Sequence, residues 1–181
     1  MANLSHDPAL AAFYDAITNN AAPHSAWSAF QELADQTVGA KLLTFMDVDM
    51  ENNVAQRSYS SDQQAYPVSG KKPITRDDWF DVVHTQNKVF VANTISGLAD
   101  VFPDYELIAS LGCGSVVNLP VRISGELMGT VNMLHEEQHY DEEKVDYIKS
   151  HLQRPAQFAY LVSRCFVQTN GNLITNISGD N

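Results

Sequence analysis

A cysteine between two glycines is the residue whose type and setting most directly suggest chemistry. Cys113 lies in the segment SLGCGSVVNLP, directly before an apolar run that predicts a β-strand. N–H groups of the glycine turn could lower the pKa of its thiol, and His84 or His135 could supply a base, which would make Cys113 a nucleophile. The alternative role is packing, because a free cysteine behaves as a small hydrophobic residue. The sequence leaves both roles open.

The segment HEEQH, residues 135–139, matches the H-E-x-x-H pattern of zinc peptidases. That chemistry needs a helix, which places both histidines on one face so that they bind one zinc ion. Here the segment follows a predicted strand and precedes a helix cap, so we expect an extended chain with the histidines roughly 13 Å apart. At that separation they could not share an ion, and the sequence predicts no metal site.

Helical periodicity at both ends of the chain and strand periodicity in the middle predict the α+β class. Asp7 followed by Pro8 is typical of a helix start, and Ser25 is placed to cap a second helix. Asp141 and an acidic first turn predict a further helix, which Pro155 is expected to kink. These helices must pack on whatever sheet the middle of the chain forms.

The runs KLLTFMDVD and VAQRSYS are joined by a turn and predict a hairpin, and KVFVAN predicts a short strand. The segment YPVSGKKP is predicted to be a loop. We expect residues 96–111 to form a second loop with one or two short helical turns.

The most regular part of the sequence predicts a central hairpin, SVVNLPVRI and LMGTVNMLH joined by SGE. Strand alternation places one set of residues on an apolar face: Val117, Leu119, Val121, Val131 and Met133. The opposite face carries a partly polar set: Val116, Asn118, Thr130, Asn132 and Leu134. A buried amide costs free energy unless it is hydrogen-bonded, so Asn118 and Asn132 are predicted to bond each other or a ligand.

This order of elements resembles a GAF domain over roughly residues 25–166. The resemblance rests on the small-residue turn, on the stretch from Asn118 to Val121 and on the stretch from Gly129 to Asn132. It implies a central antiparallel sheet with the terminal helices on one face and a small-molecule pocket on the other. The chain is then divided into an N-terminal helical extension, the GAF-like domain and a polar tail: residues 1–24, 25–166 and 167–181.

The family's specialised roles match this sequence poorly. The free methionine sulfoxide reductases of this family use several cysteines, whereas Cys113 lies nearer the strand and Cys165 offers no resolving partner. Bilin attachment uses a Cys-His pair where this chain has Gly114 after Cys113. Cyclic-nucleotide binders carry Asn-Lys where this chain has His135 and Glu136. The comparison with the family therefore implies no bound cofactor.

The predicted ligand-binding residues are uncharged side chains around the second sheet face: Trp79, Asn93, Thr94, Phe102, Tyr105, Ser115, Asn118, Thr130 and Asn132. Because the set is neutral, the predicted ligand is a neutral or zwitterionic small molecule with an apolar part. The aromatic members have core or lid packing as their alternative role.

Charge and composition exclude several partner classes. The chain has 181 residues, with 22 acidic and 11 basic side chains and a formal charge of −11. This charge repels phosphate backbones and anionic lipids, so we expect no nucleic acid and no membrane partner. The N-terminus has neither a basic region nor an apolar stretch, and two distant cysteines fit a reducing compartment, which together predict a cytoplasmic protein.

Three function classes stay open. The favoured class is a small-molecule-binding GAF sensor that acts on an output protein in trans. The alternative is a small GAF-fold enzyme that uses Cys113 or a pocket histidine such as His84, and the third class is a dimerisation module with an empty pocket. Apolar residues on the first helix and along 145–166 exceed what one sheet face can cover, which predicts a symmetric homodimer built on the terminal helices.

Overall fold

The computed structural model of the chain describes residues 7–19, 25–68 and 70–167. The helices are α1 (Pro8–Asn19), α2 (Ser25–Thr37), α3 (Asp78–Phe80), α4 (Ile95–Ala99), α5 (Tyr105–Ser110), α6 (Glu142–Tyr147) and α7 (Gln153–Val167). The strands are β1 (Leu42–Asp49), β2 (Val54–Ser60), β3 (Lys71–Pro73), β4 (Phe90–Ala92), β5 (Ser115–Ile123) and β6 (Glu126–His135). Two π-helical turns, Asp81–Thr85 and Ile148–Leu152, extend α3 and join α6 to α7.

The strands form one antiparallel sheet in the order β3-β2-β1-β6-β5-β4. The predicted central hairpin is β5 and β6, and Asn118 pairs directly with Asn132 in its register. Val117 pairs with Met133 one position along, so the two predicted faces of the hairpin are confirmed. The α+β class and the antiparallel sheet are confirmed with them.

The long helices α1, α2 and α7 cover one face of this sheet and enclose the main core. Trp27 of α2 stacks on Phe45 of β1 with ring centroids 4.2 Å apart. Phe13 of α1, which lies within the predicted N-terminal extension, is buried in the same core. Residues 1–6 and 20–24 of that extension, and 168–181 of the predicted tail, lie outside the described residues.

Aspartates cap three helices, two of them at the helix starts that the sequence predicts. Asp7 accepts from the N–H of Ala9 at 3.0 Å, Asp77 from Phe80 at 2.9 Å, and Asp141 from Lys144 at 2.9 Å. The last helix is irregular one turn before Pro155, where the π-helical turn replaces α-helical hydrogen bonding.

The segment predicted to be a loop before α3 contains an edge strand. Lys71–Pro73 pairs with β2, so that Gln56 lies opposite Lys71 and Val54 opposite Pro73. Lysines and a proline give no hydrophobic alternation, which is why the sequence pattern does not reveal this strand. The same residues are suited to an outer edge, because they discourage pairing with another chain.

Candidate functional site

The second face of the sheet is covered by the short helices α3 to α5 and by the loop after β2. Between them and the sheet lies an inner cavity of about 80 Å³. The strands contribute Thr44, Asn118, Thr130 and Asn132 to its floor, and the covering segments contribute Trp79, Phe102 and Ile108. The cavity therefore lies on the face where the sequence predicts a pocket, under the irregular segments.

A ladder of side-chain hydrogen bonds crosses the floor of the inner cavity. Trp79 donates its indole N–H to Asn118 Oδ1 at 2.8 Å, and Asn118 Nδ2 donates to Asn132 Oδ1 at 2.7 Å. Asn132 Nδ2 then donates to Thr44 Oγ1 at 3.1 Å. The two amides thus bond each other, the first of the two possibilities that the sequence leaves open. Trp79 is fixed by the same ladder, which links the cover of the cavity to its floor.

An irregularity between β1 and β2 brings a charged residue into the inner cavity. Phe45 pairs with Tyr59 but Met46 pairs with Arg57, so Ser58 has no partner in β1. This β-bulge reverses the alternation of β2: Tyr59 packs in the main core, whereas Arg57 lines the cavity beside Met46. Strict alternation along VAQRSYS would put Arg57 and Tyr59 on one face, which is why the sequence pattern misses Arg57.

The Arg57 guanidinium is held by the loop after β2. Nη1 donates to the backbone carbonyl of Pro67 at 3.1 Å, and the guanidinium lies over the Tyr66 ring, 4.7 Å from its centroid. Its Nε is buried and has no hydrogen-bond partner among the described residues. Burial lowers the pKa of Arg57, although the side chain stays charged at any physiological pH.

Two further ionisable residues line the inner cavity, Asp104 and Lys72. Asp104 Oδ2 accepts the hydroxyl hydrogen bond of Tyr66 at 2.8 Å. Burial, followed by this bond to a carboxylate, raises the pKa of Tyr66, so the tyrosine stays a neutral donor. Lys72 lies on the edge strand β3 and is exposed at the rim. None of these charged residues is in the predicted site.

The structure brings five predicted ligand-binding residues together around the inner cavity: Trp79, Phe102, Asn118, Thr130 and Asn132. It places the other four elsewhere. Asn93 Nδ2 donates to the backbone carbonyl of Tyr140 at 2.7 Å, and Thr94 caps α4. The Ser115 hydroxyl donates to the backbone carbonyl of Glu136, just after β6, at 2.7 Å. Tyr105 packs against a second, small core beneath α5, which includes Leu98, Ile108 and Val116. Their polar atoms stabilise the turns around the cavity.

Cys113 lies in that small core and is 2% exposed. It does not line the inner cavity, and its Sγ lies 4.0 Å from the carbonyl oxygen of Leu111. Burial raises the pKa of the Cys113 thiol, opposite to the shift that a nucleophile needs. The surroundings of Cys113 therefore favour packing over chemistry.

We expect the two thiols to react at very different rates with a reagent such as 5,5′-dithiobis(2-nitrobenzoate) at neutral pH. Cys165 is exposed on α7 and should react much faster than buried Cys113, which should react only when the protein unfolds. Absorbance kinetics should show one fast equivalent in the wild type and none in Cys165→Ser. A fast equivalent that persists in Cys165→Ser would show that Cys113 is accessible and reactive.

His84 lies in an outer cavity of about 200 Å³ beside the first. Trp79 and Phe102 line both cavities, so they form the partition between them. The imidazole stacks on Phe80 with centroids 4.5 Å apart, and burial, followed by the charge of Arg122, lowers the pKa of His84. His84 and Cys113 do not share a cavity, so they do not form a catalytic pair.

The HEEQH segment is not helical, as predicted, but the predicted separation of its histidines is wrong. The chain turns back after β6, with Gln138 at φ +60°, and the rings of His135 and His139 stack with centroids 3.5 Å apart. Ligand atoms of both histidines and Glu136 lie within 4.8 Å of one another. Parallel stacked rings cannot both direct a nitrogen lone pair at one ion, and Lys41 Nζ lies 3.0 Å from the Glu136 carboxylate. The absence of a metal stays a prediction, now argued from ring orientation.

No family profile matches the chain, and no curated protein matches it. Many solved structures do. The GAF domain of an Acinetobacter phosphoenolpyruvate-protein phosphotransferase superimposes with a TM-score of 0.66 at 14% identity, covering 94% of this chain and 99% of that one. The GAF domain of a two-component sensor histidine kinase from Bacillus halodurans gives 0.64 at 11% identity, covering 82% and 99%.

A free methionine-R-sulfoxide reductase from Neisseria meningitidis, solved in complex with its substrate, gives a TM-score of 0.59 at 14% identity, covering 84% of this chain and 86% of that one. Identities this low show the fold alone. The chain has the fold of a GAF domain, as the sequence resemblance predicts. None of the helices that the structure describes is both long and apolar enough to cross a bilayer.

Proposed function

We propose that the protein is a small-molecule-binding GAF sensor and that the inner cavity is its ligand site. The observation that carries this proposal is the hydrogen-bonded floor, in which buried Asn118 and half-buried Asn132 are held in fixed orientations beneath a cover of short helices. Buried polar residues that do not contribute to the main core are typical of binding sites. A ligand that contacts Trp79 would change both the floor and the cover, because the ladder joins them.

Cys113 is buried, which disfavours nucleophilic catalysis by its thiol and supports a ligand-binding sensor over an enzyme. Among the solved structures of this fold are a sensor kinase domain and a reductase, so the fold itself is compatible with either class. The alternative of a GAF-fold enzyme would need a reactive Cys113 or a role for His84 in the outer cavity. The thiol kinetics described above bear directly on that alternative.

The ligand proposal is tested by thermal unfolding in the presence of a library of small metabolites. A molecule that binds only the folded state at 100 times its Kd should stabilise the protein by about 2.7 kcal/mol. The matched variant is Ile108→Phe, which fills the cavity from α5, and Ile95→Phe adds the same ring at an exposed position. Stabilisation should be lost in the first variant and kept in the second. If no compound stabilises the wild type, or all act equally on both variants, the cavity is not a ligand site.

We also propose that the protein forms a homodimer through the terminal helices. Tyr14 of α1 and Phe158 of α7 are exposed and in edge-to-face contact, with centroids 5.8 Å apart, and Leu161 lies exposed one turn further along α7. A second copy related by a two-fold axis would present the same three side chains, so each patch would cover the other. Helices that contact both the sheet and a partner could pass the effect of ligand binding to an output protein.

We expect light scattering at micromolar concentration to give the mass of a dimer for the wild type. Leu161→Glu should give a monomer, because it places a charge in the apolar patch. Leu107→Glu introduces the same charge at an exposed leucine of α5, on the other side of the sheet, and should stay dimeric. A wild-type monomer, or a monomer in both variants, would contradict this interface.

A further inference from the structure

We infer that the ligand of the inner cavity carries a carboxylate, which Arg57 binds, and a short apolar body. This inference rests on the proposed function and deepens it. It differs from the neutral or zwitterionic ligand that the sequence predicts. The amides predicted to bind the ligand bond each other, and a charged residue, Arg57, lines the cavity.

The amides on the cavity floor do not select the ligand by themselves. Asn118 Oδ1 accepts from Trp79, and Asn132 Oδ1 accepts from Asn118. These bonds already engage both side-chain oxygens, so a neutral polar ligand would gain little by replacing them. The polar floor positions the cover, and the specificity must come from another group.

Arg57 is that group, because its hydrogen bonds and its charge are incompletely matched. Nη1 donates to the Pro67 carbonyl, but the described residues provide no partner for Nε. The described ion pairs do not include Arg57. A half-buried guanidinium loses part of its hydration, and a counter-ion and hydrogen bonds offset the free energy that this loss costs. A planar carboxylate fits the edge formed by two neighbouring guanidinium nitrogens.

The cavity is also locally positive in a strongly acidic protein. Its described lining contains the cations Arg57 and Lys72 and the carboxylate Asp104, while the whole chain has a formal charge of −11. Asp104 accepts the Tyr66 hydroxyl and keeps its charge, which favours the protonated form of Arg57 and offsets part of the positive charge of the cavity. The excess positive charge therefore favours an anionic ligand over a neutral one.

The remaining walls define the rest of the ligand. Met46, Phe102, Ile108 and Leu134 supply apolar surface around the charged corner. A volume of about 80 Å³ favours a small ligand over a nucleotide or a tetrapyrrole. The ligand class that fits is a small aliphatic carboxylic acid.

The direct test compares 4-methylpentanoate with its neutral isostere 4-methylpentanamide, by NMR titration of ¹⁵N-labelled protein. We expect the acid to bind at least tenfold more tightly, because its hydrogen bonds to Arg57 are charge-assisted. The Arg57 Nε–H resonance should move with the acid and stay in place with the amide. This readout needs no variant, so it does not depend on whether a substituted protein folds.

Variants then assign the preference for the acid to Arg57. Arg57→Met should abolish the preference, and Arg57→Lys should retain only part of it, because an ammonium keeps the charge without the planar pair of donors. Arg154→Met removes the same charge from an exposed position on α7, on the opposite side of the sheet, and should change nothing.

The outcomes separate this inference from the proposed function. If acid and amide both shift the Asn118 side-chain resonance with equal affinity, the cavity binds ligands and the carboxylate inference is wrong. A preference for the acid that persists in Arg57→Met would also overturn it. If neither probe shifts a resonance of the cavity residues, the carboxylate inference fails, while the proposed function is still decided by the metabolite library.

Discussion

Gly129→Ala is expected to destabilise the fold by about 3 kcal/mol or more, because Gly129 lies where β6 passes closest to β1. A Cβ at this position would lie 2.1 Å from the backbone oxygen of Met46 and 2.6 Å from Cζ of Phe45. The first of these atoms belongs to a central strand and cannot move without breaking the β1–β6 ladder. Urea unfolding followed by circular dichroism measures the change.

The matched control is Gly97→Ala in α4. The nearest atom to a Cβ there is Thr94 Oγ1 at 3.3 Å, a contact that a shift of a few tenths of an ångström relieves. We expect a change smaller than about 1 kcal/mol, since alanine is also favoured over glycine in a helix. Equal stability of Gly129→Ala and the wild type would mean that β1 and β6 are not as closely paired as the structure shows.

Asn118→Leu is expected to cost about 2 to 4 kcal/mol of unfolding free energy, and to loosen the cover of the cavity. The substitution leaves the Trp79 indole N–H and Asn132 Oδ1 without their partner. A buried unsatisfied group costs about 1 to 3 kcal/mol, and both residues are half-buried, so the lower part of that range applies to each. Trp79 is then free to move, so the tryptophan emission should shift to longer wavelength along with the loss of stability.

A double-mutant cycle separates loss of the amide pair from a general packing defect. In Asn118→Leu/Asn132→Leu the bond between the two amides is removed from both sides, so we expect the double variant to be less destabilised than the sum of the single variants. Strict additivity would show that Asn118 and Asn132 contribute independently, against the 2.7 Å hydrogen bond between them.

Much of the architecture follows from local patterns in the sequence. The period of two in β5 and in β6 is enough to predict which residues share a face, and it places Asn118 and Asn132 on the cavity face. Their direct pairing also depends on a register shift between Val121 and Arg122, which the period does not predict. The helix starts follow from their aspartate caps. Cys113 stays ambiguous in the sequence, since burial depends on contacts with elements far away in the chain.

The parts that the sequence does not predict depend on departures from regular geometry. Arg57 reaches the cavity only because a bulge at Ser58 reverses the alternation of β2, and period-two reasoning cannot anticipate a bulge. His135 and His139 meet because one residue between them adopts positive φ, which sends the chain back over the strand end. In both places one irregular residue changes which side chains lie together.

Native mass spectrometry of the freshly purified protein tests the central claim, that the inner cavity holds a small organic ligand, most directly. We expect a non-covalent adduct of low mass on the wild type and on Ile95→Phe, and its loss from Ile108→Phe, whose larger side chain should fill the cavity. Circular dichroism of Ile108→Phe checks that the variant is folded. Where purification strips the ligand, the adduct should return on addition of a stabilising compound from the library. An adduct retained in full by Ile108→Phe, or a wild type that binds none of the library compounds, would show that the inner cavity is not a ligand site.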